Sequence, residues 1–193
     1  MGGSVRPYSA FEERGAKLTY TAYFVAAAAE ALLAVPEVNS RFHDDALEIF
    51  HDCNIGVGTA LGNEGLIVPV LHRAQTLDLF GIAKRLGEMV AAARAGQLAP
   101  EAVRGGTFTI SNHGVSGSLL AAPIVINQPQ VAILGVGKLE RRVVVDEVNG
   151  TDAIRVKPMC YVTLTIDHRA LDAFQANAFL TSLVNTLESW PEA

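Results

Sequence analysis

Three stretches of the chain have the hydrophobic spacing of α-helices. The first, Thr19–Ala34, is apolar on most sides, which indicates a largely buried helix that Pro36 ends. The second starts from a possible cap at Thr76 and runs to Arg94, and the third runs from Ala173 to Glu188. Their inward faces are predicted to comprise Leu77, Phe80, Ala83, Leu86, Val90 and Ala93 in the second helix and Ala176, Phe179, Leu180, Leu183, Val184 and Leu187 in the third.

Short apolar runs between these helices predict strands. Asn149 and Gly150 tolerate positive φ and predict a tight hairpin turn, and residues 63–65 predict another turn. The chain therefore has the pattern of a mixed α/β domain in which strands outnumber helices. The predicted strands cover residues 46–50, 53–61, 66–71, 107–111, 131–136, 142–146, 153–156 and 159–166.

Composition and charge exclude several classes of protein. The chain has 193 residues, of which 50% are hydrophobic and 18% charged, enough apolar material for a folded core. Its formal net charge of −5, without a run of Lys or Arg, argues against nucleic-acid binding. The longest apolar stretch, Ala22–Val35, contains Glu30 and is too short to cross a bilayer, so no membrane partner is expected.

The cysteines, histidines and glycines form none of the common cofactor motifs. Cys53 and Cys160 make neither a disulfide framework nor a zinc pattern, so we expect reduced core thiols, no metal and a cytoplasmic location. The glycines of residues 56–58 and 135–137 lack the rest of a dinucleotide fingerprint. Glycines at bulges or close backbone approaches explain these two segments better.

One segment has the pattern of a catalytic loop. His168 follows the strongest strand candidate and precedes the last helix, where rigid elements on both sides can hold a general base. Asp167 and Arg169 can pair with neighbouring charges and fix this loop. A structural alternative stands beside the catalytic one, since Asp172 and Gln175 form a capping box and His168 is compatible with a structural role.

Residues 167–172 (Asp-His-Arg-Ala-Leu-Asp) match the D-H-R-x-x-D-G signature of the acyltransferase components of 2-oxo acid dehydrogenase complexes. Further segments that look like landmarks of this family occur in the expected order at 65–70, 74–77, 106–112 and 127–137, and the resemblance covers about residues 17–188. The chain is thus identified as a member of this family. The resemblance implies an α/β fold like that of chloramphenicol acetyltransferase, a two-layer sandwich of a mixed β-sheet and packed helices.

The resemblance also implies a mechanism and partners. His168 would be the general base that takes the proton of a thiol, Ser111 would stabilise the tetrahedral oxyanion, and Asp172 would support the histidine loop. The substrates would be coenzyme A and a lipoyl group carried on another domain or chain. The partners would be a lipoyl domain, other components of the dehydrogenase complex, and two further copies in a homotrimer with the active site at the subunit interface.

The residues expected near coenzyme A leave alternatives open. Asn112, beside the serine, either lines the channel together with His113 or forms a turn. Lys138 and Arg141, with Arg142, form the densest basic group and are candidates for contacts to the phosphates. The same residues would also suit a solvated hairpin edge.

The match departs from the family pattern at two points. Ala173 replaces the final glycine of the signature, which matters only if this position needs positive φ. Residues 1–16 are expected to be a linker or a truncated N-terminal segment, with the catalytic domain at 17–193. These departures leave two other functions open, namely a non-catalytic oligomeric core and a stand-alone acetyltransferase of a small hydroxyl compound.

Overall fold

The computed structural model describes residues 7–62 and 65–190, so Asn63 and Glu64 of the predicted turn lie outside the described residues. Four α-helices and eleven strands occur in the described part. The helices are α1 (Pro7–Glu13), α2 (Tyr20–Ala34), α3 (Leu79–Arg94) and α4 (Ala173–Glu188). The strands are β1 (Ser40–Phe42), β2 (Leu47–Ile49), β3 (Ile55–Val57), β4 (Thr59–Ala60), β5 (Leu66–Ile67), β6 (Val70–Leu71), β7 (Phe108–Asn112), β8 (Ala132–Val136), β9 (Glu140–Val148), β10 (Thr151–Met159) and β11 (Val162–Ile166).

A five-stranded mixed sheet in the order β11-β8-β7-β3-β6 forms the centre of the fold. Strands β7, β8 and β3 run parallel, whereas β11 and β6 are antiparallel to their neighbours. In the register, Ser111 of β7 lies opposite Gly135 of β8, which in turn lies opposite Thr163 of β11. The prediction of an α/β domain with a mixed sheet is confirmed.

One face of the sheet packs against helices. Side chains alternate between the two faces of a strand, and Phe108 and Ile110 of β7 point into the main hydrophobic core. Helices α2 and α4 supply much of the rest of this core, and the rings of Phe108 and Phe179 lie 5.4 Å apart. The sheet and these helices therefore form two layers.

The other face of the sheet is lined by small and polar residues, among them Thr109 and Ser111. Part of the segment between β7 and β8 passes so close that a side chain at Gly135 would collide with the backbone oxygen of Ala121. Thr163 donates a hydrogen bond to that same oxygen at 2.5 Å. A close backbone approach thus explains this glycine, as the sequence predicted.

Helices α3 and α4 begin at aspartate caps. Asp172 caps α4, and its backbone N–H is bound by the side chain of Gln175, which is the predicted capping box. Helix α3 begins later than predicted, because Asp78 rather than Thr76 is the N-cap and accepts a hydrogen bond from the Gly81 N–H at 2.7 Å. Thr76 lies in a short 3-10 turn just before.

Strands β9 and β10 form a separate hairpin nine residues long on each side. Asn149 and Gly150 have φ of 54° and 76°, as the predicted tight turn requires. One face of the hairpin presents apolar side chains to solvent, with Val145 opposite Ile154 and Val143 opposite Val156. The hairpin thus carries a conspicuous unpartnered apolar stripe.

The first helix packs on the rest of the chain. Phe11 of α1 contacts Phe80 of α3, with ring centroids 5.5 Å apart. The guanidinium of Arg14, just after α1, lies 3.7 Å from the centroid of the same ring. The domain boundary expected between residues 16 and 17 stays a prediction.

Candidate active site

Ser111 lies at the end of β7 on the sheet face opposite the helices. Its side chain is half-buried, and its hydroxyl oxygen lies 3.0 Å from Nε2 of His113. Since β7 alternates its side chains, Thr109 and Ser111 share this face. The Thr109 hydroxyl donates to the Gln130 amide oxygen at 2.7 Å and is buried.

A cleft of about 280 Å³ opens beside Ser111. Its lining is largely apolar, and none of the described lining residues carries a charge. The open side includes Val125, which is 90% exposed. The cleft is lined by Gly58, Leu66, Val68, Thr109, Ser111, Ile124, Val125, Ile126, Asn127 and Ile133.

His168 lies in an exposed turn directly after β11. The turn is closed by the backbone N–H groups of Ala170 and Leu171, which donate to the backbone carbonyl oxygen of Asp167 at 2.9 and 3.1 Å. The Asp167 N–H donates at 2.7 Å to the backbone oxygen of Val131, the residue directly before β8, which ties the turn to the sheet. Within the described residues, no hydrogen bond engages the His168 ring, and the imidazole is exposed to solvent.

Asp167 and Arg169 pair with each other on either side of the histidine. The guanidinium donates to both carboxylate oxygens, at 2.9 and 2.6 Å, and lies 4.8 Å from the centroid of the Phe42 ring. The hydrogen bond from Arg169 holds the pKa of Asp167 below its ordinary value, against the effect of burial. The two charges predicted to fix the loop therefore do so by pairing with each other in one ion pair.

The Asp167–Arg169 ion pair should make stability depend on pH. Because the folded-state pKa of Asp167 is depressed, its stabilising contribution is present above the unfolded value of about 4 and is lost as pH falls through the folded value. Arg169→Gln should therefore lower the urea midpoint at pH 7, and the difference from wild type should shrink below pH 4.

The matched control for this measurement is Arg85→Gln, which removes an exposed arginine from α3 that makes no ion pair among the described residues. We expect its difference from the wild type to stay constant with pH. A difference for Arg169→Gln that also stays constant between pH 7 and pH 3 would show that the ion pair does not stabilise the loop.

Asp172 serves the helix rather than the histidine ring within one chain. Its carboxylate accepts the Phe174 N–H at 2.7 Å and caps α4. No hydrogen bond joins it to His168 among the described residues, and its predicted support of the histidine loop stays a prediction. Ala173 is the first residue of α4 and does not have positive φ, so the missing glycine of the signature costs nothing here.

The residues predicted to bind coenzyme A are dispersed. The Asn112 amide donates to Thr21 at 3.2 Å and accepts from the Gly114 N–H at 3.0 Å, which corresponds to its alternative role in a turn. Glu140 lies 3.7 Å from Lys138 and 2.6 Å from Arg142, and the hydrogen bond from Arg142 lowers the pKa of Glu140. Arg141 is exposed on β9, and in the described part of the chain its side chain makes no ion pair.

Ser111 and His168 cannot meet in one chain. Ser111 is level with Thr163 at the start of β11, whereas His168 follows the far end of that strand. Five residues of extended chain separate the two levels by about 16 Å along the strand. The sequence predicted both residues, but a single chain does not bring them together.

The described residues contain neither a cluster of metal ligands nor a helix that could span a membrane. Cys53 and Cys160 are free thiols, and burial raises the pKa of Cys53 to about 11. Both lie just outside strands rather than within them, unlike the prediction.

The two-layer fold, with a serine at the end of a central strand and a histidine after an edge strand, defines an α/β domain of the chloramphenicol acetyltransferase type. A chloramphenicol acetyltransferase itself superimposes with a TM-score of 0.54 over 88% of this chain, at 13% identity, which confirms the predicted fold. The chain belongs to the family of 2-oxoacid dehydrogenases acyltransferase (catalytic domain), which matches residues 6–193.

Curated relatives carry two different acyl specificities in their names. The dihydrolipoyllysine-residue acetyltransferase component of the pyruvate dehydrogenase complex of Mycobacterium tuberculosis is 40% identical over 97% of this chain and 34% of that protein. The succinyltransferase component of the 2-oxoglutarate dehydrogenase complex of Rickettsia bellii is 41% identical over 93% of this chain and 44% of that protein. The chain thus spans less than half of the length of these relatives.

Solved structures agree with this membership. A probable dihydrolipoamide acetyltransferase from Listeria monocytogenes is similar with a TM-score of 0.85 at 35% identity, covering 94% of this chain and 75% of that one. A dihydrolipoamide acetyltransferase from Azotobacter vinelandii gives 0.85 at 31% identity, covering 94% and 73%; it was investigated for the catalytic role of a serine, a histidine and an asparagine. That asparagine follows the histidine by four residues, the spacing of His168 and Asp172.

Proposed function

We propose that this chain transfers an acyl group between the thiols of dihydrolipoamide and coenzyme A, within a 2-oxo acid dehydrogenase complex. The observation that carries the proposal is the Ser111 hydroxyl, which opens into an uncharged cleft on the helix-free face of the sheet. The lipoyl group would be carried on another domain or chain. A cytoplasmic location belongs to the same proposal and is supported by the two free thiols.

The chemistry needs one base and one oxyanion donor. His168 takes the proton of the attacking thiol as its sulfur forms a bond to the thioester carbonyl. Negative charge then develops on the carbonyl oxygen, and Ser111 donates a hydrogen bond to it. The intermediate collapses by breaking the bond to the second sulfur, and this leaving thiolate takes the proton from His168. Both directions of transfer follow the same path.

Because the two groups lie far apart in one chain, we place each active site between two copies, with His168 of one facing Ser111 of the next. Exposed apolar side chains support such an assembly. Val125 at the cleft is 90% exposed, Phe174 beside the histidine loop is 80% exposed, and the β9–β10 hairpin has its apolar stripe. A homotrimer closes this arrangement with three equivalent sites.

The coenzyme A end of the site would include exposed cations. Arg141 has no acidic partner among the described residues and is available for a phosphate. Lys138 shares Glu140 with Arg142 at the longer distance of 3.7 Å, so it can exchange this carboxylate for a phosphate. Arg142 is held by Glu140 and by the Tyr161 hydroxyl at 2.7 Å, which favours a structural role for it.

The cleft favours an uncharged acyl group. A succinyl group would bring its free carboxylate into a lining without a described cation, and an unpaired buried charge is costly. An acetyl or a short branched acyl group would instead contact Val68, Ile124 and Ile133. The relatives named as acetyltransferase and as succinyltransferase are about equally similar to this chain. The proposal of an uncharged acyl group therefore rests on the residues that line the cleft.

The test is acyl transfer from acetyl-, isobutyryl- and succinyl-coenzyme A to free dihydrolipoamide. We expect kcat/KM for the better uncharged donor to exceed that for succinyl-coenzyme A by about 10-fold or more, from the cost of burying a carboxylate. A preference for succinyl-coenzyme A would overturn the assignment of the acyl group. The absence of turnover with every donor, from a folded oligomer, would instead favour the non-catalytic core.

A further inference from the structure

The hydrogen bond between His113 and Ser111 has no counterpart in the mechanism above. Ser111 lies in β7, and His113 is the residue directly after the last residue of that strand, Asn112. The 3.0 Å distance joins Nε2 of the ring to the oxygen of the serine hydroxyl. That hydroxyl is the group proposed to donate a hydrogen bond to the oxyanion. Because His113 lies beyond the strand, the alternation of strand side chains does not by itself predict this contact, and the structure is needed to show it.

The backbone of His113 is held firmly in place. The His113 N–H donates to Val136 of β8 at 2.9 Å, and its carbonyl oxygen accepts the N–H groups of Ser116 and Ser118 at 3.0 and 3.3 Å. At the next residue, Gly114, a side chain would collide with the backbone oxygen of Gly137. This close packing makes His113 part of the rigid end of the sheet rather than of a mobile loop.

The direction of the bond decides what the serine can do. A serine hydroxyl has one proton and two lone pairs, so it donates to one acceptor at a time. If the Nε2 atom accepted that proton, the hydroxyl would be unavailable to the oxyanion. If an Nε2–H group donates to the serine oxygen, the hydroxyl proton stays free, and the donated bond polarises it further.

We propose that His113 is a positioning residue: its Nε2–H donates to Ser111 and thereby directs the serine proton toward the oxyanion in the cleft. This inference rests on the proposed function. The opposite arrangement, a serine nucleophile activated by His113, needs a third group to orient the base. Among the described residues, no side chain binds Nδ1 of His113, so the structure favours the positioning role.

The first test is a mutant cycle in the acyl-transfer assay. His113→Leu should lower kcat about 10-fold, the worth of one hydrogen bond, with KM changed less than about twofold. His113→Gln can present an amide N–H at the position of Nε2 and should recover kcat to within about threefold of the wild type. In the Ser111→Ala background, His113→Leu should cost less than about twofold more.

The contrary outcomes are distinct. An equal loss from His113→Leu in both backgrounds would show a merely structural role. An acyl-enzyme adduct on Ser111, seen by mass spectrometry after mixing with acetyl-coenzyme A, would show a nucleophile. Either result would overturn the inference. His51→Leu, an exposed histidine remote in sequence, serves as the control and should leave kcat unchanged.

A second measurement does not depend on activity. Nitrogen-15 spectra of histidine-labelled wild type, with His113 assigned from the His113→Gln variant, report which ring nitrogen carries the proton. We expect the proton on Nε2, with its resonance shifted in Ser111→Ala. A proton on Nδ1 would overturn the inference even if the enzyme is active. If the wild type shows no acyl transfer, the proposed function fails, and this spectrum still decides the direction of the bond.

Discussion

His168→Ala should lower kcat for acyl transfer by roughly 10³-fold, the usual contribution of a positioned general base. The substrate thiol is mostly protonated near neutral pH, so without the base few encounters place a thiolate against the thioester. KM should change little, since the histidine acts on the proton rather than on binding. The ring is exposed and makes no hydrogen bond among the described residues, so the urea midpoint should match that of the wild type.

The comparison with His51→Ala makes this result specific. Both histidines are exposed, but only His168 lies in the turn that the Asp167–Arg169 ion pair fixes. We expect His51→Ala to retain full turnover. Should the His168→Ala protein retain more than about a tenth of wild-type kcat while folding normally, the general-base role would be wrong, and a scaffold function would gain weight.

The fold was largely accessible from the sequence where local signals were strong. Helix α4 has its predicted bounds because Asp172 and Gln175 form a capping box that the sequence displays. The start of α3 was misplaced by two residues because Thr76 and Asp78 are both good caps. Strand β1 was missed since three residues, Ser40–Phe42, carry too short a pattern to identify.

The sequence predicted the individual residues of the candidate site but not their positions relative to one another. The family signature located His168 and the landmark at 106–112 located Ser111, yet neither contains information on distance. Only the register of β7, β8 and β11 shows that the two residues lie at different ends of the sheet. Asn112 was predicted either to line the coenzyme A channel or to form a turn. Its amide contacts Thr21 and Gly114, which a motif cannot show, and its contact to coenzyme A stays a prediction.

Mixing two inactive variants should restore activity if each site is shared between subunits. A His168→Ala chain still supplies a functional Ser111, and a Ser111→Ala chain still supplies a functional His168. At a 1:1 ratio in randomly assembled oligomers, about a quarter of the interfaces combine the two intact residues. Ser111→Ala alone should retain about 1% of wild-type kcat, so the mixture should exceed both parents many-fold.

The mixing experiment requires subunits to exchange, so the chains are denatured together in urea and refolded, with the wild type treated identically. Each parent refolded alone controls for partial recovery. Activity of the mixture near the average of the two parents would contradict a shared site. A site within one chain would then require a rearrangement that moves His168 about 16 Å along β11 to Ser111. The continuous pairing of β11 with β8 opposes such a rearrangement.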